Sequence, residues 1–282
     1  MENSPVIEVK NAEYRYKLPD GGFVAALSGV SLSISAGEFV VICGHNGSGK
    51  STLAKLMNGL LLPTNAEGEV LVKKMKTTDA AHTFDIRRSA GIVFQNPDNQ
   101  MVATFVEDDL AFGPENLGVP REEIEERIDW ALAAVGMSGH RKSTPFKMSG
   151  GQKQRIAIAA VLAMKPEILI LDESTSMLDP KGRREVMNTL LNLNKSGITV
   201  ILITHNMDEA FFASRAVILK DGQIKADAPP EDIFSDYNLL IENSLTLPAV
   251  PETARLLREK GLDVEPAVFF VEDLAEELCR LL

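Results

Sequence analysis

Nine residues, Gly44-His45-Asn46-Gly47-Ser48-Gly49-Lys50-Ser51-Thr52, lead from an apolar strand at 38–43 into a helical stretch at 53–60. The order strand, glycine loop, helix is the setting of a phosphate-binding loop and restricts the fold more tightly than any other segment. The glycines let successive backbone N–H groups turn toward one point, where they and the helix N-terminus hold phosphate oxygens. Lys50 then reaches the β- and γ-phosphates as a point charge, and the Ser51 hydroxyl ligates Mg²⁺. His45 is a loop residue to which no chemistry is assigned. A match of this kind alone arises by chance on the order of once in a hundred chains of this length.

Two further motifs remove that alternative. Ile168-Leu169-Ile170-Leu171-Asp172-Glu173 reads as a buried parallel strand that delivers two carboxylates to its C-terminal end. Asp172 is expected to hold Mg²⁺ through its coordinated water and Glu173 to accept the proton of an attacking water. By itself such an acidic pair is often only a solvated loop. Between it and the phosphate loop lies Ser149-Gly150-Gly151-Gln152. The ordered set of three points to ATP hydrolysis.

Short β-branched runs at 6–9, 30–34, 38–43, 69–72 and 91–94 make the first portion β-rich. A helical insert is expected at about 99–163, where Ile124, Ile128, Ala131, Leu132 and Val135 recur at helical spacing. Strands at 168–171, 199–203 and 216–219 then alternate with helices at 180–194 and 206–213, which implies a parallel sheet with nucleotide at its strand ends. Beyond Pro229-Pro230 two amphipathic segments follow, at 251–260 and 269–282, separated by Gly261 and Pro266. Phe270, Leu274, Leu278 and Leu281 fall on one face of the last, either as core or as a protein contact.

The 282 residues suffice for one large α/β domain with a small appendage. The net charge is −11, and residues 231–282 carry twelve acidic against four basic side chains. Such a surface argues against nucleic acid as the main partner. Cys43 and Cys279 are the only cysteines, so neither a disulfide framework nor a zinc site is expected, and the compartment reads as reducing. Met1-Glu2-Asn3-Ser4-Pro5 lacks the regions of a signal peptide, and the longest apolar run, 156–164, reads as a buried helix, about half a membrane span.

With these motifs the chain resembles the nucleotide-binding subunit of an ATP-binding cassette (ABC) transporter over roughly residues 6–226. The resemblance implies an α/β P-loop NTPase of ABC ATPase fold: a domain at 1–230 containing the helical signature subdomain, and a helical extension at 231–282. It implies that Gln95 is the Q-loop residue that senses the metal and attacking water, and that Ser176-Met177-Leu178-Asp179 is the D-loop. His205 corresponds to the switch histidine that contacts the γ-phosphate. Adenine is expected to stack on Tyr16, with Tyr14 as the alternative. Ser149, Gly150, Gly151 and Gln152, with Met148 where leucine is commoner, would bind the γ-phosphate held by the opposite subunit. The metal set is Ser51, Gln95 and Asp172.

Three stretches, 95–100, 107–116 and 172–179, resemble the ATPases of energy-coupling factor (ECF) transporters, importers of vitamins and transition-metal ions. Ser174 and Met177 resemble the first of their two ATPase types. This resemblance implies ATP and Mg²⁺ as cofactors and a peripheral place on the cytoplasmic face of the cell membrane. The implied partners are a second ATPase subunit, identical or a related paralogue, a transmembrane coupling subunit docked near residues 95–115, and membrane-embedded substrate-binding subunits. The extension would contribute to the contact between ATPases. The alternatives are another class of ABC transporter, or a soluble ABC-type ATPase acting on DNA or ribosomes. The latter is opposed by the chain length, the absence of heptads and the negative charge.

Overall fold

The computed structural model describes residues 4–265 and 268–281. Residues 1–3, Pro266 and Leu282, which entered the readings of the N-terminus and the last segment, lie outside them. In chain order the strands are β1 (Pro5–Lys17), β2 (Phe23–Ser35), β3 (Phe39–Cys43), β4 (Glu69–Val72), β5 (Met75–Lys76), β6 (Ala90–Val93), β7 (Ile168–Asp172), β8 (Thr199–Thr204), β9 (Arg215–Lys220) and β10 (Gln223–Ala228). The helices are α1 (Lys50–Met57), α2 (Thr83–Ser89), α3 (Val106–Asn116), α4 (Arg121–Ala134), α5 (Gly150–Leu162), α6 (Pro180–Lys195), α7 (Pro230–Ser235), α8 (Tyr237–Glu242), α9 (Ala249–Glu259) and α10 (Val271–Leu281). No helix among the described residues is long and apolar enough to cross a membrane.

Two sheets result. Strands β2-β1-β4-β5 form an antiparallel sheet, and β10-β9-β3-β8-β7-β6 a second sheet that is parallel except at its β10 edge. The inner strands of the second sheet are apolar through their middles because both faces are covered, with polar residues only at strand ends, and period-two alternation divides their side chains between two cores. Val40, Ile42, Ile168, Ile170, Ile201 and Ile203 pack with α1 and the antiparallel sheet. Val41, Cys43, Leu169, Leu171, Val200 and Leu202 pack on the other face with residues of α5 and α6. The helix that follows the phosphate loop is thus clamped between two sheets, with Leu53, Leu56 and Met57 fully buried.

The sequence reading differs from this fold in several places. Strands β1 and β2 run thirteen residues each, far beyond the expected cores at 6–9 and 30–34. Helix α2 and strands β5 and β10 were not anticipated. The expected helix at 206–213 is a 3₁₀ turn, Met207–Phe212, started by Asn206, whose side chain accepts from the Asp208 N–H. The insert at 99–163 contains α3, α4 and α5, and the apolar run at 156–164 covers the second half of α5 and the two residues after it. In the last helix, Leu274, Leu278 and Leu281 join Ala254, Val264 and Val268 in a small core of the extension. The stripe is therefore internal packing, except that Phe270 lies edge-on to Phe212, ring centroids 5.6 Å apart.

Candidate active site

The phosphate loop leaves the C-terminal end of β3 and enters α1 at Gly49, whose φ of +104° and close neighbour require glycine. A Cβ there would lie 2.3 Å from the Ala26 carbonyl oxygen. The β9–β10 turn, Asp221-Gly222, braces the loop from outside. The Gly222 N–H donates to the Ser48 carbonyl at 3.0 Å, and the Gly222 carbonyl accepts from the Ser28 N–H at 2.9 Å. Sequence reasoning missed this brace, although Asp-Gly between two β-rich runs is a hairpin signal. His45 and Asn46 lie on the outer loop, where His45 Nδ1 is 2.8 Å from the Asn46 carbonyl oxygen and Nε2 is 3.7 Å from Asp221.

Lys50 is buried and folds back over the loop, its Nζ donating to the carbonyls of Gly44 (2.8 Å) and His45 (2.9 Å). Burial pulls its pKa below the ordinary lysine value, and Glu173 opposes that shift. Ser51 Oγ donates to Asp172 Oδ1 at 2.7 Å. Burial raises the Asp172 pKa above the usual carboxylate range, with the Ser51 hydrogen bond working against it. A buried carboxylate beside a hydroxyl is a pair of hard oxygen donors, the chemistry that suits Mg²⁺.

Glu173 is where the site converges. Its N–H extends the sheet to the Ile203 carbonyl at 2.9 Å, and its carbonyl accepts from Ser176 N–H (3.1 Å) and Ser176 Oγ (2.8 Å). Its carboxylate accepts from Gln95 Nε2 at 3.1 Å and lies 3.5 Å from His205 Nδ1 and 3.8 Å from Lys50 Nζ. Gln95, Lys50, Glu173 and His205 follow β6, β3, β7 and β8, so four parallel strands deliver four side chains to one point. Ser176 also accepts from Gln95 Nε2 at 3.3 Å, a contact that sequence reading did not find.

Tyr16 lies on the long β1 and shares a hydrogen bond with Thr52 Oγ1 at 3.1 Å. Its ring is exposed, whereas Tyr14 packs against the core beside it, centroids 4.8 Å apart and edge-on. Of the two, Tyr16 is the exposed ring, and its hydroxyl reaches the loop at Thr52. Ser149, Gly150, Gly151 and Gln152 stand apart at the start of α5. There the Ser149 N–H donates to Gln152 Oε1 (3.0 Å) and the Gln152 N–H to Ser149 Oγ (3.3 Å). This capping box leaves the helix N-terminus facing outward. Among the described residues no hydrogen bond or ion pair joins it to the phosphate loop of the same chain.

A groove of about 730 Å³ separates the sheet from the helical insert. Phe94, Val102 and Phe112 come from the expected stretch 95–115 or its border, while Phe84 and Arg87 come from the unanticipated α2. Phe84, Val102 and Phe112 are all more than half exposed, an apolar concavity on the flank of the site.

A family model described as "ABC transporter" matches residues 27–176. The chain is 50% identical to the "Energy-coupling factor transporter ATP-binding protein EcfA1" of Caldanaerobacter subterraneus subsp. tengcongensis over 98% of its own length and 99% of the relative's. It is 46% identical to the like-named protein of Bacillus subtilis, covering 100% of this chain and 99% of the other. Among solved structures, cbiO1 from Clostridium perfringens, described as part of the ABC transporter complex cbiONQ, superposes with a TM-score of 0.76 at 35% identity over 90% of this chain and 99% of that one. A dimeric bacterial ABC transporter cassette superposes with a TM-score of 0.71 at 34% identity over 79% and 98%. The chain belongs to the ABC transporter family, among the ATP-binding proteins of energy-coupling factor transporters.

Proposed function

We propose that this chain is the ATP-hydrolysing subunit of an energy-coupling factor importer that powers uptake of vitamins or transition-metal ions. The observation that carries the reading is the meeting of Lys50, Gln95 and His205 on the Glu173 carboxylate, in a chain alike to ECF ATP-binding proteins from end to end.

Tyr16 stacks on adenine, the Gly44–Thr52 loop wraps the phosphates, and Lys50 balances the charge of the β- and γ-phosphates. Mg²⁺, held by Ser51, Asp172 and Gln95, supplies electrostatic stabilisation of phosphate charge when bound. Glu173 takes the proton of the attacking water, Gln95 orients that water, and His205 contacts the γ-phosphate. Ser149 to Gln152 of a second ATPase subunit close on the γ-phosphate from the opposite side, through the exposed N-terminus of α5. Loss of that phosphate removes the bridge, and the pair opens. The groove beside Phe84 and Phe112 takes the transmembrane coupling subunit, so that opening moves the membrane partner. Ser174 and Met177 fit the first of the two ATPase types, which makes a related second ATPase the expected mate. The extension supports that contact, and the assembly holds the chain on the cytoplasmic face of the membrane.

Affinity purification of the tagged chain from detergent-solubilised native membranes tests the reading. Recovery of a multi-spanning coupling protein, a second related ATPase and small membrane-embedded binding proteins is expected. A different pair of permeases would change the transporter class, and ribosomes or nucleic acid in their place would overturn transport.

A further inference from the structure

Glu209 is a carboxylate with 1% exposure that the hydrolytic centre does not use. It lies on the 3₁₀ turn that follows His205, and its N–H donates to the Asn206 carbonyl at 3.2 Å. Neither carboxylate oxygen has a hydrogen-bond donor among the described residues. The cation beside it is Arg183, whose Nε is 3.5 Å from Glu209 Oε1 and likewise makes no hydrogen bond. Arg183 belongs to the first turn of α6, and its N–H donates to the carbonyl of Asp179, the residue that caps that helix. On the other side Glu209 comes close enough to Cys43, the last residue before the phosphate loop, to add to the upward shift that burial gives the thiol.

A buried, incompletely paired charge is unfavourable for stability, and apolar side chains of similar volume would serve packing at least as well. The position of this one is specific: it ties the segment after the switch histidine to the helix after Asp179. We infer that Glu209 is a positioning residue for ATP hydrolysis, which through Arg183 fixes how the His205 loop sits against α6 and hence against Glu173. The inference rests on the reading that Glu173 and His205 carry hydrolysis.

The test is steady-state ATP turnover by the chain assembled with its membrane partners. Glu209→Gln is expected to lower kcat by roughly 10- to 100-fold, the scale of a small misplacement of a reacting group. KM for ATP is expected to stay within about twofold, because the phosphate loop and Tyr16 are untouched. Arg183→Met should lower kcat by the same factor, and the double variant no further, since both act through one link. Arg183 is about one-third exposed, so its variant carries the measurement should Glu209→Gln fail to fold. Unchanged kcat, multiplicative losses in the double variant, or losses that match the unfolded fraction seen in thermal melts would overturn the inference. A Glu173→Gln control separates the two layers: if it abolishes turnover while Glu209→Gln leaves kcat unchanged, only the positioning role fails, and if it leaves turnover intact, the hydrolytic reading fails first.

Discussion

Glu173 sits at φ +49°, a left-handed backbone position that a residue of its size rarely adopts. The two hydrogen bonds from Ser176 to its carbonyl hold it there, an instance of backbone strain kept at a functional position by its surroundings. Its neighbour Asp172 shows a related tension. Burial raises the folded-state pKa, so the contribution of this group to stability is present at low pH and lost as pH rises through that value. At neutral pH the ionised carboxylate therefore weakens the nucleotide-free fold. Asp172→Asn still accepts from Ser51 Oγ but carries no charge, and it is expected to raise stability by ~1 kcal/mol while lowering ATP turnover. Urea denaturation without nucleotide checks this, and a lower midpoint would show that burial is not the dominant influence on Asp172. Lys50, Asp172 and Glu173 were legible because each follows a recognisable strand or glycine loop, whereas Gln95 and His205 were named through the family resemblance. The contact of Gln95 with Ser176, the brace of Gly222 on Ser48 and the pairing of Glu209 with Arg183 were not legible, because each joins residues distant in sequence.

Among the elements, β6 shows how packing fixes the flank of the site. Gly91 lies under α5, where a Cβ would come within 2.3 Å of Val161 Cγ1. Gly91→Ala is expected to cost about 1–3 kcal/mol by overpacking, and adding Val161→Ala to recover most of that loss. Equilibrium denaturation of the three proteins tests it, and additive losses in the double variant would mean that the two residues do not compete for one space. Element type was clearest where patterns are long or doubly buried, as in β7, β8, α4 and α6. It was least clear at 206–213, where the six residues Met207–Phe212 cannot separate a period of 3.0 from one of 3.6. The outer halves of β1 and β2 escaped notice because an exposed antiparallel pair shows little apolar alternation, yet that length is what carries Tyr16 to Thr52.

At the scale of the whole molecule, the acidic segment 231–282 meets the preceding residues partly through aromatic rings. Phe211, from the turn after His205, stacks on Phe269 with centroids 4.3 Å apart and packs against Phe234 at 4.6 Å. Phe211→Ala is expected to destabilise the fold by about 2 kcal/mol and to expose the extension to limited proteolysis ahead of the ATPase domain. Cleavage that still begins elsewhere would place the fastening in other contacts. The change of pattern after Pro229-Pro230 was visible in the sequence, but the surface on which the last helices lie was not, because it depends on pairs of phenylalanines distant in sequence. The capping box of α5 makes no hydrogen bond to the phosphate loop of its own chain among the described residues, so under the proposed function a second subunit completes the site and Glu173 is the group on which its chemistry turns. The decisive measurement is ATP turnover, with bound nucleotide followed in parallel, for the assembled complex carrying Glu173→Gln. Turnover lower by roughly 10² to 10⁴ with ATP still bound is expected, whereas wild-type turnover would remove Glu173 as the base and with it the proposed hydrolytic centre.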